Sequence, residues 1–151
     1  MTTKTIAQKS DTHRSAIMRA VKSKDTTPEM TVRKMVHGMG YRYALHRRDM
    51  PGKPDLVFPS RKKIIFVNGC FWHGHNCPRG ARLPKANAEY WSAKIGRNVE
   101  RDAAALAQLQ SSEWEVLTIW ECETKSADRE TLRYRLSEFL NPKPLHNRDI
   151  L

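Results

Sequence analysis

Three metal-ligating side chains fall within eight residues, Cys70-x4-His75-x1-Cys77, and Cys122 follows at the end of a distant β-branched run. Zinc in a closed structural site takes four tetrahedral N/S ligands, and Cys3His is a standard set. Residues 68–88 hold three Gly and two Pro with little aliphatic content. A loop so poor in core-forming residues needs something else to order it, and a structural zinc contributes on the order of 10–16 kcal/mol of apparent binding energy. His73, two residues before His75, is an alternative imidazole ligand. Whichever histidine stays off the metal can act as general acid or base near neutral pH. The competing reading is a set of ordinary buried thiols.

Asp55 follows Pro51-Gly52-Lys53-Pro54 and begins an apolar strand. With another oxygen donor from a neighbouring strand, around Val67 or Asn68, its carboxylate could hold Mg2+ with several waters left on the ion. Such an ion activates water and offsets charge on a phosphate; otherwise Asp55 is a turn residue. Glu29, in the first turn of a helix, either orients His73 or complements the helix dipole. Phe71-Trp72 in the Gly-rich loop, and Trp91 followed by Lys94 and Arg97, set aromatic faces beside cations. That pairing suits bases stacked or wedged apart while phosphates are held. The competing reading has Phe71 and Trp72 roofing the zinc site and Trp91 packing on the sheet.

The elements that must position these residues follow from pattern. Thr27 caps and Pro28 begins a helix with the stripe Val32, Met35, Val36 and Met39, ending at Gly38 and Gly40. Short strands are expected at 41–45, 55–58 and 64–67, the last a continuous run that suggests burial on both faces. A long helix runs from Asn87 to 111 with Trp91, Ile95, Val99, Ala103, Leu106 and Leu109 in register. A strand at 114–120 and a helix over 129–140, burying Leu132, Leu136, Phe139 and Leu140, close the chain. A short helical stretch is expected around 15–22. The order predicts one α/β domain over 15–141, a central mixed sheet flanked by helices, preceded by a flexible basic arm (1–14) and followed by a tail (142–151).

The 151 residues carry 27 Lys plus Arg against 16 Asp plus Glu, a net charge of +11. Residues 1–98 hold 20 basic and 6 acidic side chains, and 99–151 hold 7 and 10. So uneven an excess favours a polyanion, nucleic acid first, through attraction and counterion release. No apolar run approaches the ~20 residues of a membrane helix, and the start lacks a secretory signal's apolar stretch. A cytosolic protein without membrane contact is expected, and the odd count of three cysteines fits a reducing compartment or a metal better than a disulfide framework.

Four motifs in order resemble the very-short-patch repair endonucleases: Pro51 to Phe58, then Val67-Asn68-Gly69-Cys70-Phe71-Trp72-His73-Gly74-His75-Asn76-Cys77, then Tyr90-Trp91 with Lys94 to Asp102, and Ile119-Trp120-Glu121-Cys122. The similarity extends upstream through Met18-Arg19-Ala20-Val21 and Thr26 to Glu29. The resemblance implies a restriction-endonuclease-like fold and a Mg2+-dependent enzyme that nicks double-stranded DNA 5′ to the thymine of T:G mismatches left by deaminated 5-methylcytosine. It implies Asp55 and the Val67 carbonyl on Mg2+, His73 as catalytic histidine with Glu29 its helper, and Cys70, His75, Cys77 and Cys122 on zinc. Phe71, Trp72 and Trp91 would wedge beside the mismatch, Met18 and Val21 with Arg19 would approach from the minor groove, and Lys94 and Arg97 would hold DNA. The family carries Thr-His where this chain has Val67-Asn68; a carbonyl ligand tolerates any side chain, whereas Asn68 can hydrogen-bond but cannot exchange a proton. A monomer is expected, since nicking needs no two-fold axis, with functional links to a cytosine-5 methyltransferase and a repair polymerase. Alternatives are a nuclease of a modification system with another DNA target, and a zinc module that binds DNA without cutting it.

Overall fold

In the computed structural model, which describes residues 25–78 and 80–141, helix α1 covers Thr27–Gly38. Thr26, one residue before the expected cap, closes its start by accepting the Glu29 N–H on Oγ1 at 3.3 Å. Pro28 has no N–H to offer, so the first useful donor is Glu29, three residues on. Strand β1 is only Ala44–Leu45. The expected longer strand fails because the helix end claims its first residues: Tyr41 N–H donates to the Val36 carbonyl at 3.2 Å, and Arg42 donates to the His37 carbonyl at 3.3 Å.

Strands β2 (Leu56–Phe58), β3 (Lys63–Asn68) and β4 (Glu115–Trp120) complete a sheet of order β1-β2-β3-β4. The first two pairings are antiparallel and β3 runs parallel to β4, with Lys63 opposite Glu115 and Asn68 opposite Trp120. A parallel pair needs a long crossover, and helix α2, Ala88–Ser111, lies in it. Alternation along the strands sends side chains to both faces. Leu56, Phe58, Ile65 and Ile119 meet Val32 and Val36 of α1 and Leu132, Leu136 and Leu140 of α3, Arg129–Leu140. Val57 and Ile64 meet Leu109 of α2 on the other face. The expected α/β class, a mixed sheet between helices, is met. Met18, Arg19 and Val21, the arm, the helix expected at 15–22 and the tail lie outside the described residues.

The apolar stripe of α2 is only partly buried. Trp91, Ala105 and Leu109 are covered, whereas Val99 and Leu106 are 43% and 37% exposed. The cause is a cavity of about 310 Å3 between the middle of α2 and the sheet, walled by Val99, Ala103, Leu106, Phe66, Val116 and Thr118. Gly52, at φ +76°, sits at its floor, where a Cβ would stand 3.0 Å from both Ala105 and Phe66. The turn leading to Asp55 therefore depends on glycine twice, for its conformation and for clearance.

The basic triplet before β3 is scaffold. Arg61 donates to the Leu140 carbonyl at 3.1 Å, Lys62 covers the Trp114 ring, and the buried Lys63 bonds the Phe139 carbonyl and Glu115. Cations there satisfy carbonyls at the end of α3, so these three charges are tied to the fold.

The topology also fixes where chemistry can gather. Both neighbours of β2 run opposite to it, and β4 runs with β3. One edge of the sheet therefore receives the start of β2 and the ends of β1, β3 and β4. Asp55, His46, Val67, Asn68 and the segment 121–124 all lie at that edge.

Candidate active site

Asp55 stands one residue before β2, and its Oδ2 accepts the Val67 N–H at 2.7 Å. Its own carbonyl accepts the His46 N–H at 3.2 Å. Burial pushes the Asp55 carboxyl up to about 7, against the pull of the Val67 N–H; Glu29 raises it further, and His46 and His73 draw it down. A half-covered carboxylate that accepts the Val67 N–H and has no lysine or arginine paired to it among the described residues fits a divalent cation, which would supply the missing counter-charge.

His73 follows β3 in a turn, and its Nδ1 lies 2.6 Å from Asp102 Oδ2. Asp102 on α2 is a residue to which the sequence alone assigns no role. Its signal was available: Asn98 and Asp102 are four residues apart and share a helix face. Asn98 Nδ2 donates to the Trp72 carbonyl at 2.9 Å, so one polar face of α2 grips two successive loop residues. The pairing fixes the imidazole by one nitrogen and leaves Nε2 as its working atom. His73, Asn68 and Asp102 line the mouth of the cavity under α2.

Glu29 does not hold His73. It is buried, and its Oε2 lies 2.6 Å from His46 Nε2, while Oε1 accepts the Asp25 N–H at 2.9 Å and Arg33 approaches within 3.6 Å. The α1 start packs beside β1, so Glu29 reaches the histidine at the end of that strand, and His73 takes its carboxylate from α2. His46 had no assignment in the sequence reading; a histidine just past a two-residue strand carries no periodic signal.

The Cys/His loop closes as a knot. One ligand atom from each of Cys70, His75, Cys77 and Cys122 lies within 4.8 Å of the others, and Cys122 Sγ is 3.6 Å from His75 Nδ1. His73 stands outside this group, and the imidazole gathered with the three thiols is that of His75. The His75 ring stacks on Trp120, centroids 4.1 Å apart at 10°. Burial pushes the Cys70 thiol up to about 12 and raises Cys122 as well. None of the three is disulfide-bonded. Three thiols and an imidazole gathered within 4.8 Å of one another fit zinc, whose binding would displace those protons. Gly74, at φ +63°, passes so close to α2 that a Cβ would stand 2.9 Å from Val99.

Phe71, Trp72 and Trp91 meet edge to face, with centroids 5.1, 5.8 and 5.9 Å apart. Trp91 is only 8% exposed, so it is the packed base of the cluster, with Phe71 and Trp72 half-buried above it. Tyr90, beside Trp91 and 53% exposed, is a further aromatic that sequence reasoning passed over. Lys94 and Arg97 lie along the same helix. Among the described residues, no helix is long and apolar enough to cross a membrane.

Comparison of the sequence with known proteins gives a family match and several relatives. The profile of the family described as DNA mismatch endonuclease Vsr matches residues 7–79. A protein of Xanthomonas oryzae pv. oryzae named type II nicking enzyme V.XorIIP is 48% identical over 129 residues, which span 85% of this chain and 93% of that protein. The Escherichia coli K12 protein named DNA mismatch endonuclease Vsr is 37% identical over 130 residues, 84% of this chain and 83% of its own. A Neisseria meningitidis protein named type II nicking enzyme V.NmeAIP is 41% identical over 113 residues, 75% of this chain and 80% of its own.

Proposed function

The chain belongs to the Vsr family of DNA mismatch endonucleases, and from that membership we propose that it nicks double-stranded DNA 5′ to the thymine of a T:G mismatch by Mg2+-dependent hydrolysis. The observation that carries the reading is the meeting, at one sheet edge, of the half-buried Asp55 carboxylate and an imidazole held by Asp102. Asp55 and the Val67 carbonyl would hold the ion; the N–H and C=O of a strand residue face the same neighbour, and the Val67 N–H already reaches Asp55. When bound, Mg2+ supplies an activated water and offsets phosphate charge.

The remaining steps fall to the chain. His73, oriented through Nδ1, offers Nε2 to take the proton of the attacking water. Asn68 beside it hydrogen-bonds water or phosphate without exchanging a proton. Phe71 and Trp72, backed by Trp91, wedge beside the mismatch, where unstacking costs least. Lys94 and Arg97 hold flanking phosphates, and Met18, Arg19 and Val21 approach from the minor groove. Zinc on Cys70, His75, Cys77 and Cys122 keeps Phe71 to His73 in place. The substrate would arise where a cytosine-5 methyltransferase acts, and a polymerase would fill the patch.

Asp102→Asn should lower single-turnover nicking by about 10²–10⁴-fold, the range for a positioned acid or base, while leaving T:G duplex binding unchanged. Loss of binding in step with rate would instead make Asp102 a fold residue.

Labelled T:G, U:G and fully paired duplexes, incubated side by side with and without Mg2+, test the reading. Cutting of the T:G duplex alone, 5′ to thymine and only with Mg2+, is expected. Equal cutting of all three removes mismatch recognition; that second reading, a nuclease of a modification system, is favoured by relatives named as type II nicking enzymes. Binding without any cleavage would leave a zinc module alone.

A further inference from the structure

Asp55 has two histidines within electrostatic reach, His73 and His46, and the reaction proposed above uses only one. His46 is the residue after β1, and its backbone takes φ +51°, a left-handed conformation rare for a side-chain-bearing residue. Such conformations persist where the surroundings enforce them, and they gather at functional sites. Two bonds enforce this one. The His46 N–H donates to the Asp55 carbonyl, and its Nε2 meets the buried Glu29 carboxylate at 2.6 Å. His46 thereby repeats the arrangement of His73: an imidazole fixed through one nitrogen by a carboxylate from a flanking helix, beside Asp55. One arrives from β1 and the other from the end of β3, the two strands on either side of β2. In-line displacement at phosphorus has two sides to serve, since the attacking and leaving oxygens lie opposite one another.

We propose that His46 is a second catalytic histidine, held by Glu29 so that its other ring nitrogen, Nδ1, contacts the scissile phosphodiester from the side of Asp55 opposite to His73. The role of Glu29 follows: it is the positioning residue of His46. The assignment rests on the phosphodiester-cleaving reading above and adds to it a residue to which that reading gives no task. With both ring nitrogens protonated, Nε2–H serving Glu29 and Nδ1–H the phosphate, the position fits a hydrogen bond to the phosphate as charge builds on it, an interaction whose removal slows such reactions by about 10²–10³-fold.

His46→Gln separates this role from a structural one. A glutamine amide nitrogen falls where Nε2 stands and can still donate to Glu29, but nothing replaces Nδ1. Single-turnover nicking of a labelled T:G duplex at saturating enzyme should fall by about 10²-fold, with duplex binding measured without divalent cation, and the unfolding temperature, both at wild-type values. His46→Ala, which also takes from the buried Glu29 its 2.6 Å partner at Oε2, should lose stability in addition. A His46→Gln protein that nicks at the wild-type rate would show that His46 only ties down Glu29, and overturns the assignment while the nicking function stands. A rate loss matched by lost binding or lost stability overturns it equally. A wild-type protein that nicks no duplex overturns the nuclease reading and this assignment together.

Discussion

Replacing Asp55 by asparagine is expected to abolish nicking and, in metal-free protein, to raise the unfolding temperature at pH 8. The catalytic loss should reach about 10³-fold or more, since an ion on a phosphoryl oxygen is worth several kcal/mol and each 1.36 kcal/mol is a factor of ten. The gain in stability follows from burial. An unfolded aspartate titrates near 3.9, whereas Asp55 in the fold is held up to about 7. Between those values the native state keeps a proton that the unfolded chain has released, so stability is complete below about pH 4 and falls as pH rises through 7. Asparagine bears no such cost, and its advantage should be absent at pH 4 and amount to several degrees at pH 8. Added Mg2+ should stabilise the wild type more as pH rises, because Asp55 must lose its proton to bind, and should leave the variant unmoved. Thermal melts across pH with and without Mg2+, alongside nicking and duplex binding, check all of this. A variant that still nicks would remove Asp55 from the site.

Stripping zinc, or replacing Cys122 by serine, is expected to cost both order in the loop and all nicking, with Asp55 chemically untouched. Structural zinc sites carry apparent binding energies on the order of 10–16 kcal/mol, comparable to the whole stability of a domain. Here the four residues that could hold the ion come from a glycine-rich loop and from the segment after β4, so a zinc among them would tie the loop to the sheet. Phe71, Trp72 and His73 lie between two of those ligands and would lose their placement together. Metal analysis should find about one zinc per chain, and uptake by the stripped protein should release protons, since burial holds the Cys70 thiol up to about 12. Near-ultraviolet dichroism should report the loss of the tryptophan cluster. A Cys70–Cys77 disulfide in metal-replete protein would contradict the site.

The helices and the sheet were legible because their signals are periodic and local. α3 begins and ends where the leucine spacing places it, and β3 reads as a strand from its β-branched run, although only its first half is fully buried and Phe66 and Val67 are half-exposed. β1 and α2 were less so. The end of α1 takes the backbone N–H of Tyr41 and the guanidinium of Arg42, and the stand-off of α2 from the sheet leaves Val99 and Leu106 open despite correct spacing.

By itself the sequence determined the residue types available for chemistry: three thiols and two candidate imidazoles, an acid at a strand start, a histidine directly after two aromatics, and an excess of positive charge toward the first two-thirds of the chain. Only the tertiary structure decided who partners whom. Glu29 lies 44 residues from His73 and 17 from His46 along the chain, and nothing local chooses between them; the antiparallel pairing of β1 with β2 brings His46 to Asp55 and puts it in reach of α1. Asp102 meets His73 because the parallel β3–β4 pair carries α2 back across the sheet edge. Ligand chemistry belongs to side chains and can be read one residue at a time, whereas a hydrogen bond between distant residues exists only once strand order and direction have been fixed.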